Sequence, residues 1–187
     1  MEETVADGRS NRTFLPLSAA LAALVCLILS GGASAQDKDL GVFKDLGVFK
    51  DWNAQSYSEG GAKVCNIWSK PKKEEGRYTR RGEVFAFVAH RPGENRRNEV
   101  SFQIGYTFKK NSELSATIGG RSFSLFTEGG SAWLRSPEED DAIVAAMKAG
   151  STMIVRGTSS RGTPTKDTYS LSGFTAAMRA IDRACGA

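Results

Sequence analysis

The chain has 187 residues, of which 40% are hydrophobic and 25% charged, and its 25 Lys and Arg residues exceed its 21 Asp and Glu residues by four. The 152 residues that follow residue 35 have a length that suits one domain with a hydrophobic core. The charge excess is small and no nucleic-acid-binding motif is present, so nucleic acid is a poor candidate partner.

The first 35 residues have the pattern of an export signal. Arg9 and Arg12 precede an almost wholly apolar run over residues 14–29, and residues 33–35 read Ala-Ser-Ala, the small-x-small pattern that signal peptidase cuts. The run of 16 residues is shorter than the roughly 20 residues of a membrane-spanning helix. Cleavage after Ala35 is therefore favoured over an uncleaved anchor. The sequence predicts a mature protein without a transmembrane span, in the periplasm, at the outer membrane or on the cell surface.

A linker is predicted over residues 36–48, and it contains most of a tandem repeat. The hexapeptide Asp-Leu-Gly-Val-Phe-Lys occurs at residues 39–44 and again at residues 45–50. Two copies are too few to build a solenoid or a fibre, which favours a duplication over a functional repeat. Because a slip of six residues preserves the alternation of side chains, either copy could pair with the same neighbouring strand.

Positive charge is concentrated in residues 69–98, which contain nine basic and four acidic residues. Such a cluster attracts anionic partners, which outside the cytoplasm would be lipid headgroups, lipopolysaccharide phosphates or host polyanions. The alternative is a solvated loop that keeps a sheet edge soluble. The candidate binding residues are Lys70, Lys72, Lys73, Arg77, Arg80, Arg81, Arg91, Arg96 and Arg97.

The pattern of the remaining chain is mostly that of short antiparallel strands. In residues 100–106, Val, Phe, Ile and Tyr alternate with Ser, Gln and Gly, as on a half-buried strand. Gly, Pro, Asn and Ser clusters separate these runs, which favours an antiparallel sandwich or barrel over a parallel α/β sheet. Strands are predicted at residues 63–68, 83–90, 100–106, 114–118, 121–127, 152–156 and 167–171.

Two helices are predicted among the strands. Ser136 as N-cap, followed by Pro137 and Glu139, starts the first, and Gly150 is expected to end it in a left-handed conformation. The second extends from about Gly173 to Ala184, with apolar residues at helical spacing on one stripe.

The two cysteines after the leader predict a disulfide between Cys65 and Cys185. An even pair in an exported chain is most simply one bond, and Cys185 continues the inward stripe of the second helix towards the sheet. The alternatives are a redox-active pair or half of a metal site. Neither cysteine is in a Cys-x-x-Cys motif, and His90 is the only histidine in the chain.

No residue pattern indicates catalysis, a metal or a cofactor, so a non-enzymatic protein is predicted. A hydrolase would need His90 as base with Ser159 or Ser160 as nucleophile, but the loop at residues 157–164 lacks the Gly-x-Ser-x-Gly spacing. This loop is interpreted as a hairpin connection, one that could contact a partner. The acidic residues 138–141 fit the first turn of a helix, where negative charge is favourable.

Eight short motifs follow one another along the chain, at residues 49–52, 63–65, 69–72, 97–101, 104–106, 132–133, 155–163 and 169–174, before the helix that ends at Cys185. In this order they resemble the invasion-associated locus B family of α-proteobacterial envelope proteins, over residues 49–186. The resemblance implies an immunoglobulin-like antiparallel β-sandwich domain at residues 49–187, with one internal and one C-terminal helix. It also implies export to the cell envelope and, in some members, an association with host-cell invasion or colonisation. It supplies no catalytic residues. An adhesin-like binder of anionic surfaces remains the alternative function.

Overall fold

The computed structural model describes residues 43–186, and the predicted leader lies outside the described residues. This part of the chain forms eleven strands and two α-helices, so the predicted mainly β fold with an internal and a C-terminal helix is confirmed. The strands are β1 (Lys44–Phe49), β2 (Trp52–Glu59), β3 (Ala62–Ser69), β4 (Lys73–Gly76), β5 (Phe85–Arg91), β6 (Arg96–Gln103), β7 (Glu113–Ile118), β8 (Arg121–Glu128), β9 (Ser131–Trp133), β10 (Thr152–Thr158) and β11 (Pro164–Ser170). The helices are α1 (Pro137–Ala149) and α2 (Phe174–Cys185).

All strand pairs are antiparallel and form one continuous ladder in the order β1-β2-β3-β5-β6-β9-β8-β7-β10-β11-β4. The sheet folds back on itself, as contacts between strands that are far apart in the ladder show. The ring centroid of Phe102 on β6 lies 6.2 Å from that of Tyr169 on β11. The indole N–H of Trp52 on β2 likewise donates to the carbonyl of Ser170 on β11 (3.0 Å). Two halves of the sheet therefore enclose the core in a sandwich-like arrangement.

The seven predicted strands are all present, with shifts of a few residues at their ends. The second half of β6 shows the predicted alternation, since Val100 and Phe102 are buried and Gln103 is exposed. The strand ends before Ile104, because Gly105 has a φ of 75° that an extended strand does not allow. Four strands, β1, β2, β4 and β9, were not predicted.

Helix α1 begins as predicted and ends at the predicted residue for a different reason. The Ser136 hydroxyl accepts a hydrogen bond from the Glu139 N–H (3.3 Å), which is the expected N-cap. Gly150 is not left-handed, since its φ is −90°. A Cβ at this position would lie 2.6 Å from the Ile118 side chain, so close packing requires the glycine here.

Helix α2 covers β2 and β3 and is joined covalently to the sheet. Cys65 on β3 and Cys185 in the last turn of α2 form the predicted disulfide, with a Cα–Cα distance of 6.1 Å. His90 on β5 pairs with Cys65 across the ladder, and its Nε2 lies 2.8 Å from Asp182 of α2. A disulfide and a buried His–Asp hydrogen bond therefore fix the same junction between helix and sheet.

The second copy of the repeat, residues 45–50, forms the edge strand β1 and the turn to β2. The sheet thus begins inside the segment predicted as a linker. Gly47 forms a bulge with a φ of 115°, and Leu46 and Phe49 pack against the core. Of the first copy, Phe43 stacks on Tyr57 with ring centroids 5.5 Å apart.

The outer face of the sheet carries a row of aromatic side chains. Trp68, Phe87, Trp133 and Phe126 follow one another across paired strands, with Ser101 in the middle of the row. The Phe126 and Trp133 rings stack with centroids 5.7 Å apart. Cross-strand aromatic pairs of this kind contribute about 0.2–1 kcal/mol each to the stability of a sheet.

Candidate functional site

The principal candidate site is a cleft of about 460 Å³ between three segments of the chain. One side is the loop that follows β4, the second is the segment after β6, and the third is the hairpin loop between β10 and β11. Three arginines (Arg77, Arg80, Arg161), two tyrosines (Tyr78, Tyr106) and six Ser or Thr residues line it. We call it the arginine cleft.

Backbone hydrogen bonds hold two of these segments against each other. The Ser160 N–H donates to the Thr107 carbonyl (2.7 Å), and the Lys109 N–H donates to the Thr158 carbonyl (2.9 Å). The loop itself is closed by the Thr163 N–H, which donates to the Ser159 hydroxyl (3.1 Å). Hydroxyl-rich walls of the cleft are therefore fixed by the backbone before any ligand binds.

Two glycines allow the tyrosine rings to approach the sheet closely. A Cβ on Gly76 would lie 2.8 Å from the ring of Tyr78, and a Cβ on Gly157 would lie 2.7 Å from the hydroxyl of Tyr106. Any larger residue at either position would displace the neighbouring tyrosine from its observed place. The Tyr106 hydroxyl is 2.6 Å from the Thr165 hydroxyl, which fixes the orientation of the ring.

A buried ion pair lies beneath the two tyrosines. Arg81 makes two hydrogen bonds of 2.6 Å to the carboxylate of Asp167, and the two side chains are 3% and 0% exposed. The Arg81 guanidinium also lies 5.5 Å from the Tyr78 ring centroid and 5.2 Å from that of Tyr106. Burial lowers the pKa of Arg81, but the Asp167 carboxylate outweighs it, so the pKa lies above its ordinary value. This pair carries no free charge and supports the cleft from below.

Burial raises the pKa of Tyr106, although the Thr165 hydroxyl and the Arg81 charge act in the opposite direction. The phenol therefore stays protonated at neutral pH and keeps both its donor and its acceptor capacity.

The three cleft arginines carry the free positive charge of the site. Among residues 43–186, no carboxylate oxygen lies within 4.0 Å of a guanidinium nitrogen of Arg77, Arg80 or Arg161. No acidic residue lines this cleft. Three smaller clefts in the same part of the structure all contain carboxylates beside their cations. Among these four clefts, all within residues 43–186, the arginine cleft is the one without an acidic residue in its lining.

The nine basic residues expected to bind anions fall into two groups. The first group surrounds the loop after β4: Arg77 and Arg80 line the cleft, and Arg81 lies beneath it. The three lysines of this group pair with acidic residues, Lys70 with Glu83 (2.6 Å), Lys72 with Asp51 and Lys73 with Glu75 (2.9 Å). The second group is on the β5–β6 hairpin, where Arg91 pairs with Glu59 (2.7 Å), Arg96 with Glu99 (2.6 Å), and Arg97 donates to the Gly186 carbonyl (3.2 Å).

Sequence reasoning missed Arg161 and both tyrosines as cleft residues. The sequence predicts the hydroxyl-rich loop at residues 157–164 as a hairpin connection that could contact a partner. In the structure this loop supplies one wall of the cleft. What the sequence did not reveal is that the loop packs beside Arg77 and Arg80, more than 75 residues earlier.

His90 has no catalytic neighbour in the structure. Its Nδ1 accepts a hydrogen bond from the Asn98 N–H (3.1 Å), so Nε2 carries the proton and donates to Asp182. Ser159 and Ser160 bond instead to the backbone of the hairpin loop and of Thr107. The structure does not bring His90 to either serine.

Among residues 43–186, no group of three or more His, Cys, Asp or Glu residues could hold a metal ion. In the same range, no helix is long and apolar enough to cross a membrane.

These observations define a disulfide-linked antiparallel β-protein with a positively charged cleft. The chain matches the model of the invasion associated locus B protein family over residues 52–182, more than half of its length, and it therefore belongs to that family. The match spans β2 to β11 and most of α2, whereas the repeat lies before it. The family is not a known enzyme family. Neither the curated proteins nor the solved structures gave a match.

Proposed function

We propose that this protein is an exported, non-enzymatic binding protein of the cell envelope that supports host-cell invasion, colonisation or envelope integrity. The observation that carries the proposal is the disulfide between Cys65 and Cys185, which joins an inner strand to the last turn of the chain's last helix. Such bonds persist in oxidising compartments and are rare in the cytosol. The leader pattern that ends at Ala35 supplies a route to such a compartment.

Two further observations support a binding role. His90, the one imidazole that could act as a base, is held by Asp182 and Asn98 inside the junction between α2 and the sheet. The arginine cleft, in contrast, is open to solvent and lined by hydroxyl groups and by three arginines that have no carboxylate partner within residues 43–186. The name of the family associates it with invasion.

Export is tested by fractionating the native organism and sequencing the N-terminus of the protein. We expect recovery from the envelope or periplasm with Gln36 as the first residue. Ala35→Arg should block cleavage, because signal peptidase requires a small residue there. Ser34→Arg is the matched control, since the middle position of the motif is not selected for size. Recovery of the intact chain from the cytoplasm would refute the proposal.

A second candidate function is adhesion to anionic surfaces, favoured by Arg77 and Arg80, which are exposed and have no carboxylate partner in the described part of the chain. Binding to negatively charged vesicles should then weaken steeply with salt and fall when both arginines are changed to Glu. Lys72 and Lys73, which already pair with acidic residues, provide a control with the same change of charge. Equal loss in both double variants would contradict a role for this particular surface.

A further inference from the structure

The arginine cleft has a lining that specifies the chemistry of its ligand. We propose that it binds a sugar that carries a phosphate monoester. This inference rests on the proposed function, because it supplies the ligand class for a binding protein of the cell envelope.

The charge of the lining selects the phosphate. Arg77, Arg80 and Arg161 all line one cleft, and no acidic residue lines it within residues 43–186. A guanidinium fork matches the oxygen atoms of a phosphate in a bidentate manner, and it is less strongly hydrated than the ammonium of lysine. Three cations suit a phosphate monoester, which carries close to two negative charges at neutral pH. A monoanion such as a carboxylate would leave more of this charge uncompensated.

The size and the hydroxyl groups of the lining select the sugar. A volume of about 460 Å³ is within the range of small-molecule sites and leaves room for more than an inorganic phosphate. Serine, threonine and tyrosine hydroxyls can each donate and accept, as the hydroxyls of a sugar also do. The lining includes Thr79, Thr107, Ser160 and Thr163 beside the arginines. A purely anionic site would need donors alone.

The cleft is organised before the ligand arrives. Arg81 and Asp167 hold Tyr78 and Tyr106 from below, and backbone hydrogen bonds join the Ser160 loop to Thr107. Binding therefore orders few groups beyond the three arginine side chains, which limits its entropic cost. The charge of the surrounding surface also points to the cleft itself as the binding site. The neighbouring lysines are already paired with carboxylates, so they add little to the attraction for an anion.

The proposal is tested with purified, disulfide-bonded mature protein by isothermal titration calorimetry. N-acetylglucosamine 1-phosphate is the probe, with inorganic phosphate and unphosphorylated N-acetylglucosamine as comparisons. A second arm measures binding to vesicles that contain lipid A, in which the phosphate is on a glucosamine headgroup, against vesicles of phosphatidylcholine alone. Because the same chemistry occurs in free and lipid-borne sugars, the two arms distinguish these sources.

Two variants remove the cleft charge one guanidinium at a time. We expect Arg80→Gln and Arg161→Gln each to weaken binding by at least about tenfold, since hydrogen bonds to charged groups contribute roughly 1.5–3 kcal/mol. Arg179→Gln, at an exposed position on α2, changes the net charge equally and should leave binding unaltered. Circular dichroism of all three variants shows whether the fold is retained.

Loss of binding in both cleft variants with retention in the control supports the proposal, and the arm in which this occurs identifies the source of the sugar. Equal weakening by Arg179→Gln would overturn it, because the attraction would then be non-specific. Equal affinity for inorganic phosphate and for the phosphorylated probe would overturn the sugar assignment. Absence of binding in both arms would overturn the inference as a whole, yet it would leave the fractionation test of export unaffected.

Discussion

Replacing Asp167 by asparagine tests the assignment of the buried ion pair beneath the cleft. The carboxylate is 0% exposed and makes two hydrogen bonds of 2.6 Å to Arg81, which is itself 3% exposed. The amide oxygen of an asparagine could accept one of these bonds, but the guanidinium would remain buried without its counter-charge. Removing one partner of such a pair costs about 3–5 kcal/mol. Glu74 lies 3.5 Å from Arg81 but is 40% exposed, so it compensates only part of the guanidinium charge. We therefore expect the free energy of unfolding to fall by about 3 kcal/mol.

The assay is equilibrium unfolding in urea at pH 7 with the disulfide intact, and the loss should appear as a lower midpoint at an unchanged slope. Glu83→Gln, which breaks the exposed pair with Lys70, is the matched control and should cost roughly 0.5 kcal/mol. Replacing both partners, as Arg81→Met with Asp167→Leu, should be less damaging than Asp167→Asn alone, because no charge remains buried. A loss below about 1 kcal/mol for Asp167→Asn would refute this reasoning.

Three further predictions concern the helices and the repeat. Gly173→Ala should destabilise the fold by more than about 2 kcal/mol in urea, because its φ of 91° disfavours a side chain and an added Cβ would overlap the carbonyl oxygen of Phe49. Burial raises the pKa of Asp140 to about 6, so this carboxyl binds a proton more tightly in the folded state than in the unfolded state. The free energy of unfolding should therefore fall as the pH rises from about 4 to 6. Asp140→Asn should remove that fall and raise the free energy of unfolding at pH 7 by about 1 kcal/mol, after allowance for screening by water. Deletion of residues 39–44 should cost at most about 1 kcal/mol, because Lys38 then precedes Asp45 as Lys44 does in the intact chain and, among the described residues, the deletion removes the exposed stacking of Phe43.

Each of these predictions has a contrast within the chain. Gly186→Ala, at a φ of 65° with no neighbour within 4 Å, should cost only about 1 kcal/mol, so equal losses at the two glycines would contradict the overlap with β1. Glu138 has a pKa below its ordinary value because of the Ser136 hydroxyl, and Glu138→Gln should therefore alter the pH dependence in the opposite sense to Asp140→Asn. A large loss on deletion of residues 39–44 would show that the first copy of the repeat belongs to the fold.

Local patterns predicted most of the strands whose burial alternates and the helix end that is capped, but they missed β2, whose burial also alternates. Two predictions of this kind are confirmed: the burial of Val100 and Phe102 on one face of β6, and the N-cap at Ser136. Both features depend on residues that are close in sequence. The disulfide followed from two patterns together, the inward stripe of α2 and the even number of cysteines in an exported chain. Such features need no knowledge of the strand order.

Long-range pairing determined what the sequence could not reveal. Strand β4 has the sequence Lys-Glu-Glu-Gly, which lacks any apolar face, and it exists because it pairs with residues 165–168 of β11. The same pairing brings the loop of Arg77 and Arg80 to the hairpin of Arg161 and so creates the arginine cleft. The requirement for Gly150 likewise comes from packing against Ile118, a contact invisible in the local sequence.

Peptide mapping under non-reducing conditions, on protein isolated from its native organism, tests the central claim most directly. We expect the peptide that contains Cys65 to be linked to the peptide that contains Cys185, in a chain whose first residue is Gln36 and which is recovered from the envelope. A full-length cytoplasmic chain in which an alkylating reagent modifies both thiols would contradict the account of compartment and function.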